Sequence, residues 1–419
     1  MLATQSRRRV ALSRAAGLAT ALRTLDLTSR LAWVPERPPI ADRAPVPDIQ
    51  FDIERYVPPA RLIDGIEVRF GPTHTVFATA RLARTPTRRD QQALDDALAT
   101  IETTYPWHPS GVLAHVAYGR PYFDRLPPGL VALHMPRLLS NTNRFALEEA
   151  VGRACVEHND VLFTLRGDDP LRLADTLAWL GGSDLLAGRR VASPRFAAGL
   201  AFTSSRAMFV QLGLPRKVAA AGRLPYHVLI HPRSPRWMGI VGNETRADAP
   251  APAVTCQGAE GVRLTTARAG DYFDNAAIQH LSHHILDLQQ FYDVDDDGNP
   301  RDDARYLDRV RDAYRSAPAP EPVLARHVDL AQRAARAAEG RPLHQRLDGP
   351  GFDSMDVPDA SLQPKLQLSM LVPTADLFQR IRDELAVLDG LERFVTATRL
   401  QNFLVPPRRH RAFPLLELA

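Results

Sequence analysis

The sequence predicts an α+β fold of the dimeric α+β barrel type: two ferredoxin-like domains in tandem, each an antiparallel sheet covered by helices. Three observations predict it. A chain of 419 residues with 45% hydrophobic and 24% charged side chains is long enough for two domains that each bury a core. The first half reads strand, helix, strand and then strand, helix, strand, the split order of a ferredoxin-like unit. The second half repeats that grammar with longer insertions. The expected division is residues 1–60 as a basic extension and proline-rich arm, 61–215 as the first domain and 216–419 as the second.

Residues 35–60 (PERPPIADRAPVPDIQFDIERYVPPA) are dominated by proline and charge, so a linker or wrapping arm is expected. From His74 to Leu82 the residues Val76, Ala78, Ala80 and Leu82 alternate onto one face, the period of a half-buried strand. Thr87 can cap a helix in which Leu94, Ala97, Leu98 and Ile101 form one stripe, ended by Tyr105-Pro106. Gly111 to Tyr118 and Asp160 to Arg166 read as the next strands. Asp169-Pro170 opens a helix striped by Leu173, Leu177 and Leu180, and Phe196 to Thr203 reads as a fourth strand. In the second half strands are expected from Tyr226 to His231, Ala277 to Leu288, Leu366 to Val372 and Asn402 to Val405. Thr374 caps a helix with Leu377, Phe378, Ile381, Leu385 and Leu388 inward, and two more helical pieces are expected near 303–313 and 322–339.

Composition narrows the function classes. The formal net charge is +4 and the pI near 9.2, but the basic residues are spread among acids. All of them except Lys217 and Lys365 are arginine, a GC-rich usage rather than a phosphate-binding surface, so no nucleic-acid partner is expected. Cys155 and Cys256 lie far apart without paired spacing, which leaves a disulfide framework and a zinc ribbon unsupported. No run of about 18 apolar residues occurs, so no transmembrane span is expected. Ser6-Arg7-Arg8-Arg9-Val10 followed by ALSRAAGLATAL resembles a twin-arginine export signal, yet Arg14 and Arg23 break the apolar stretch. A decayed signal or basic helical extension on a cytoplasmic protein is expected, with export through the degenerate signal as the alternative.

One stretch concentrates the chemistry. Residues 326–354 (RHVDLAQRAARAAEGRPLHQRLDGPGFDS) offer a ligand-type side chain, His327, and a fixed cation, Arg346. A buried metal cofactor needs such a pair, one group to bind the iron and one to handle charge on the open face. The plain alternative is a helix carrying an unremarkable histidine. His280, His283 and His284 would have zinc-ligand spacing on a helix, but their surroundings favour a strand. There His280 and His284 would stand roughly 13 Å apart, with successive side chains on opposite faces. Asp293, Asp295, Asp297 and Gly298 match the start of a calcium loop, yet Ala304 stands where the bidentate Glu belongs, so a solvated acidic turn is the simpler reading. No G-x-S-x-G elbow, P-loop or G-x-G-x-x-G occurs, so hydrolase, kinase and dinucleotide readings lack local support.

The order of segments resembles the dye-decolorising peroxidase superfamily, haem proteins built from two ferredoxin-like domains. It is most similar to a divergent, little-characterised branch that often carries twin-arginine leaders. The resemblance spans roughly residues 70–410 and is carried by Tyr118 to Asp124, Asp160 to Arg166, Met238-Gly239, Gln279 to Ser282, His327 to Gln332, Arg346, and Phe403 to Pro407. It implies haem b, with His327 as proximal iron ligand and Arg346 as the distal arginine. A guanidinium that keeps its proton would stabilise the charge that builds when peroxide splits. Where the family carries G-F-x-D-G, with the Asp as acid–base group, this chain has Gly239-Ile240-Val241-Gly242-Asn243-Glu244. Glu244 is the nearest substitute, with His283 and His284 as further candidates beside the cofactor. Lack of a placed acid–base group would lose ~10²–10⁴ in the rate of O–O cleavage, so efficient dye oxidation is not implied. The resemblance implies a haem oxidoreductase using hydrogen peroxide or oxygen on a small organic substrate, aromatic or biosynthetic. The alternatives are a haem-binding protein without peroxidase activity and a haem-free scaffold of the same fold; self-association as a homo-oligomer is compatible with all three.

Overall fold

The sheet is built from eight principal strands, β1 (His74–Leu82), β2 (Leu113–Gly119), β3 (Val161–Gly167), β4 (Leu200–Phe209), β5 (Ala277–Leu286), β6 (Gly349–Asp353), β7 (Gln363–Val372) and β8 (Val395–Val405). The computed structural model describes residues 17–39, 45–63, 66–136, 154–238, 248–258, 265–292, 342–378 and 394–419. The helices expected near 303–313 and 322–339, His327, Glu244 and the Asp293–Asp297 turn lie outside the described residues.

The first four strands pair in the order β4-β1-β3-β2 and the last four in the order β8-β5-β7-β6. Each is the fourth-first-third-second order of a ferredoxin-like unit, and every principal pairing is antiparallel. β8 lies beside β2 through Phe403↔Gly119 and Leu404↔Tyr118, so both sets form one sheet. Two-residue strands at Gln345–Arg346 on β7 and Cys155–Val156, parallel to β8, complete it. The chain is therefore α+β with the expected strand grammar.

Helices cover one face. Helix α1 spans residues 17–29, α2 is Arg88–Thr104, α3 is Pro170–Leu180 and α4 is Leu214–Ala221. Thr87 caps α2 as expected: its hydroxyl accepts from Asp90 N–H while the Asp90 carboxylate accepts from Thr87 N–H. Asp169 caps α3 through Leu171 N–H. Val76, Ala78, Val116, Phe163 and Leu165 pack beneath Leu94, Leu98, Ile101, Leu173 and Leu177. The opposite strand positions, Phe77, Ala117, Leu162, Met208, Leu281, Leu371 and Phe403, come from both halves yet form one buried cluster. The sheet is thus rolled on itself, with an inner face and an outer, helix-covered face.

The roll closes without a hydrogen-bonded ladder between β4 and β6, since β4 pairs with β1 and β6 with β7. Glycine permits the approach: a Cβ on Gly351 would stand 3.1 Å from Ala207 O, and one on Gly349 would meet Val210 Cγ2 at 2.8 Å. Helix α1 lies over this seam. Ala21 N–H donates to Ser205 Oγ on β4 at 3.3 Å, Thr24 Oγ1 donates to Phe352 O on β6 at 2.7 Å, and Leu18, Ala21 and Leu25 are buried.

Three strand expectations change. Tyr226 to His231 forms successive turns, with His227 N–H bonded to Leu224 O and Leu229 N–H to Tyr226 O. Tyr226 and Ile230 are buried but Val228 is 53% exposed, which a strand with alternate residues on one face would not allow. β4 begins at Leu200 rather than Phe196, because Gly199 adopts φ +71° and holds the preceding residues in a loop. β8 begins at Val395, seven residues before the expected Asn402.

Candidate functional site

The inner face holds two polar layers that bind the halves together. In one, Gln279 Oε1 accepts from His115 Nε2 at 3.1 Å, while Gln279 Nε2 donates to Thr164 Oγ1 and Ser369 Oγ. Burial pushes the His115 imidazolium down to about 3, so the ring is neutral. In the other, fully buried Arg206 pairs with Glu157, which faces Arg399 at 3.7 Å, and Arg399 binds Asp356 at 2.6 Å. His283 belongs to this layer. Its Nδ1 is 2.7 Å from Thr398 Oγ1 and its Nε2 3.5 Å from Asp353 Oδ1. Burial lowers its pKa.

The outer face of the second half gathers a different set. Along β5 the side chains of His280, Ser282 and His284 alternate with those of Gln279, Leu281 and His283, so His283 and His284 do not point into one site. His280 stacks on Phe378 with ring centroids 3.6 Å apart and its Nδ1 is 2.8 Å from Asn402 Oδ1. Burial pushes the His280 imidazolium down to about 3. His284 Nε2 is 2.8 Å from Ser282 Oγ. Among the described residues, two buried nitrogens on this face, His284 Nδ1 and Asn402 Nδ2, have no hydrogen-bond partner. Unpaired buried polar atoms cost about 1–3 kcal/mol each and suit a face that receives a polar group.

Arg346 lies opposite Met370 of β7, on this outer face. Its side chain is 37% exposed, and Nη2 donates to Asp348 Oδ2 at 2.7 Å. Asp348 is buried and also accepts from Arg236 Nη1 at 2.7 Å. Burial alone would push its carboxyl up, but the Arg236 and Arg346 guanidiniums outweigh that and hold it below the usual carboxylate range. Residues on both sides of the Gly239–Glu244 segment in sequence contact this stretch of chain. Before it, Arg236 binds Asp348; after it, Asp248 Oδ1 accepts from Arg346 N–H at 2.9 Å, Gln345 Nε2 donates to Ala249 O, and Ala249 N–H to His344 O. Sequence reasoning singled out Arg346 and the Gly239–Glu244 segment, and did not single out Arg236, Asp248, Asp348 or Asn402. Only Asp348 had a local signal, since the second residue along a strand from Arg346 shares its face.

Among the described residues no three His, Cys, Asp or Glu side chains group as a metal site, and no helix is long and apolar enough to cross a membrane. A half-open cavity of about 200 Å³ between Leu133, His134 and Tyr272 gathers none of the expected site residues.

A family profile described as a family of unknown function, DUF7405, matches residues 72–407. No curated protein matches the chain. Among solved structures, a dye-decolorizing protein from V. cholerae is 14% identical with a TM-score of 0.46, covering 84% of this chain and 96% of that one. An encapsulated DyP-type peroxidase from Mycobacterium smegmatis is 15% identical at TM-score 0.47, covering 83% and 96%. A dye-decolorizing peroxidase from Bacteroides thetaiotaomicron is 13% identical at 0.48, covering 81% and 94%. At such identities and TM-scores these likenesses specify neither chemistry nor residue roles.

Proposed function

The chain belongs to the DUF7405 family, a family of unknown function, and from that premise we propose that it is a haem-binding oxidoreductase of peroxidase type. His327 is the proposed axial ligand of haem b and Arg346 the fixed cation on the open face. The observation that carries the proposal is the placement of Arg346 on the outer face, its guanidinium on buried Asp348 and its backbone N–H on Asp248, with Arg236 on the same carboxylate. The unpartnered His284 Nδ1 and Asn402 Nδ2 on the outer face fit the polar edge of a bound cofactor.

Bound there, haem would supply an iron centre able to accept oxidising equivalents from a peroxide. The chain's own residues do the rest. Arg346 stabilises negative charge developing on the peroxide oxygens, being a cation at every accessible pH. Glu244 holds the proton that moves between those oxygens. The substrate is a small organic molecule and the oxidant hydrogen peroxide. A second reading, haem binding without peroxide chemistry, is favoured by one observation, the absence of an Asp in Gly239–Glu244. Adding hydrogen peroxide to the ferric protein separates the two. A peroxide-induced change in the haem absorbance that is lost in Glu244→Gln supports the oxidoreductase, and an unchanged ferric spectrum supports the carrier.

A further inference from the structure

Arg346 reaches the outer face from a two-residue strand with a side chain 37% exposed, and a free arginine so exposed samples many rotamers of similar energy. One contact selects among them. Nη2 donates to Asp348 Oδ2 at 2.7 Å, while Nε and Nη1 make no hydrogen bond among the described residues. Asp348 is in turn immobile: its side chain is 3% exposed, its Oδ2 accepts from Arg236 Nη1 at 2.7 Å, and its backbone O accepts from the same Nη1 at 3.1 Å. Two guanidiniums share one buried carboxylate, and Arg346 is tethered to it by one nitrogen of three.

We propose that Asp348 is a positioning residue. It fixes the Arg346 guanidinium against Arg236 and leaves Nε and Nη1 for the anionic group that occupies the site. The contact itself is independent of the haem-oxidoreductase reading; what Arg346 acts upon rests on that reading. A counter-ion that only balances charge would behave differently from one that positions. Removing a mere counter-ion raises the local positive charge and tightens anion binding. Removing a positioning carboxylate frees Arg346 and weakens it.

The sign of the change in Asp348→Asn therefore decides. Azide binding to the ferric haem-loaded protein, followed by absorbance, is expected to weaken about tenfold in Asp348→Asn, close to the loss in Arg346→Lys. The double variant is expected to be no worse than either single one, and Asp348→Glu to recover part of the affinity. Unchanged or tighter azide binding in Asp348→Asn overturns the proposal. The ligand-free protein gives a second readout, through the Arg346 Nε–H signal in nitrogen-15 spectra, identified by its loss in Arg346→Lys. That signal is expected to broaden or shift toward the free-arginine position in Asp348→Asn; a signal identical to wild type overturns the proposal. If the wild type binds no haem, the oxidoreductase reading fails and the nitrogen-15 result still decides the role of Asp348.

Discussion

Helix α1 is the element whose loss should do the most damage, because it covers the seam where β4 and β6 meet without a ladder. Leu25→Ala is the sharpest single change. Leu25 is fully buried, so its truncation removes the transfer free energy of the lost atoms and leaves a cavity, together about 2–5 kcal/mol. Thr24→Ala adds about 1–3 kcal/mol by stranding Phe352 O, the β6 carbonyl that the threonine hydroxyl satisfies. The two sites adjoin, so their effects need not add. Denaturant unfolding of the single and double variants gives the totals, and native-state hydrogen exchange gives the location. Exchange should rise first in Leu200–Phe209 and Gly349–Asp353, the seam strands, and later in Leu113–Gly119 and Val161–Gly167 at the sheet centre. A loss below about 1 kcal/mol for Leu25→Ala, or an exchange increase spread evenly over all strands, would refute the idea that α1 seals the seam.

Glu157→Gln leaves Arg206, which has no exposed surface, without its counter-charge and should cost about 3–5 kcal/mol in denaturant unfolding, whereas replacing both residues by Met should cost much less. Stability should also fall in acid. Burial holds His74 near 4 and His115 and His280 near 3, below the unfolded value of about 6.5. Their contribution is complete above pH 6.5 and is lost as the pH falls through that value toward their folded ones, by up to about 1.4 kcal/mol per pH unit for each histidine. His115→Gln should flatten the slope of stability between pH 6 and 5, and an unchanged slope would contradict the neutral-histidine account.

Much of the fold was legible because it is local. β1 was read to the residue from the alternation of Val76, Ala78, Ala80 and Leu82, and the caps at Thr87 and Asp169 were visible as side chains able to accept from the first helical turn. What failed depended on tertiary packing. β6 was not expected because Gly349-Pro350-Gly351 has poor strand propensity, yet those glycines are what let its backbone approach β4. Tyr226 to His231 alternates like a strand but is held in turns with Tyr226 and Ile230 buried beside α4. At the candidate site, Arg346 and Glu244 were proposed from motif order alone. The contacts around Arg346 were not legible, because Arg236, Asp248 and Asp348 are ordinary charged residues in sequence and meet it only once the chain is folded. The three histidines of β5 illustrate the same limit. Their strand placement was foreseen, and pairing with β7 and β8 then turns His283 inward to Thr398 and His284 outward to Ser282.

The proposed haem site has His327 as axial ligand and Arg346 on the open side. Its most direct test is the absorbance of the purified protein after reconstitution with ferric haem, in wild type and in His327→Ala. The account predicts a Soret band at one haem per chain in the wild type and its loss in the variant. No Soret band in the wild type, or a variant that keeps its haem, would contradict it.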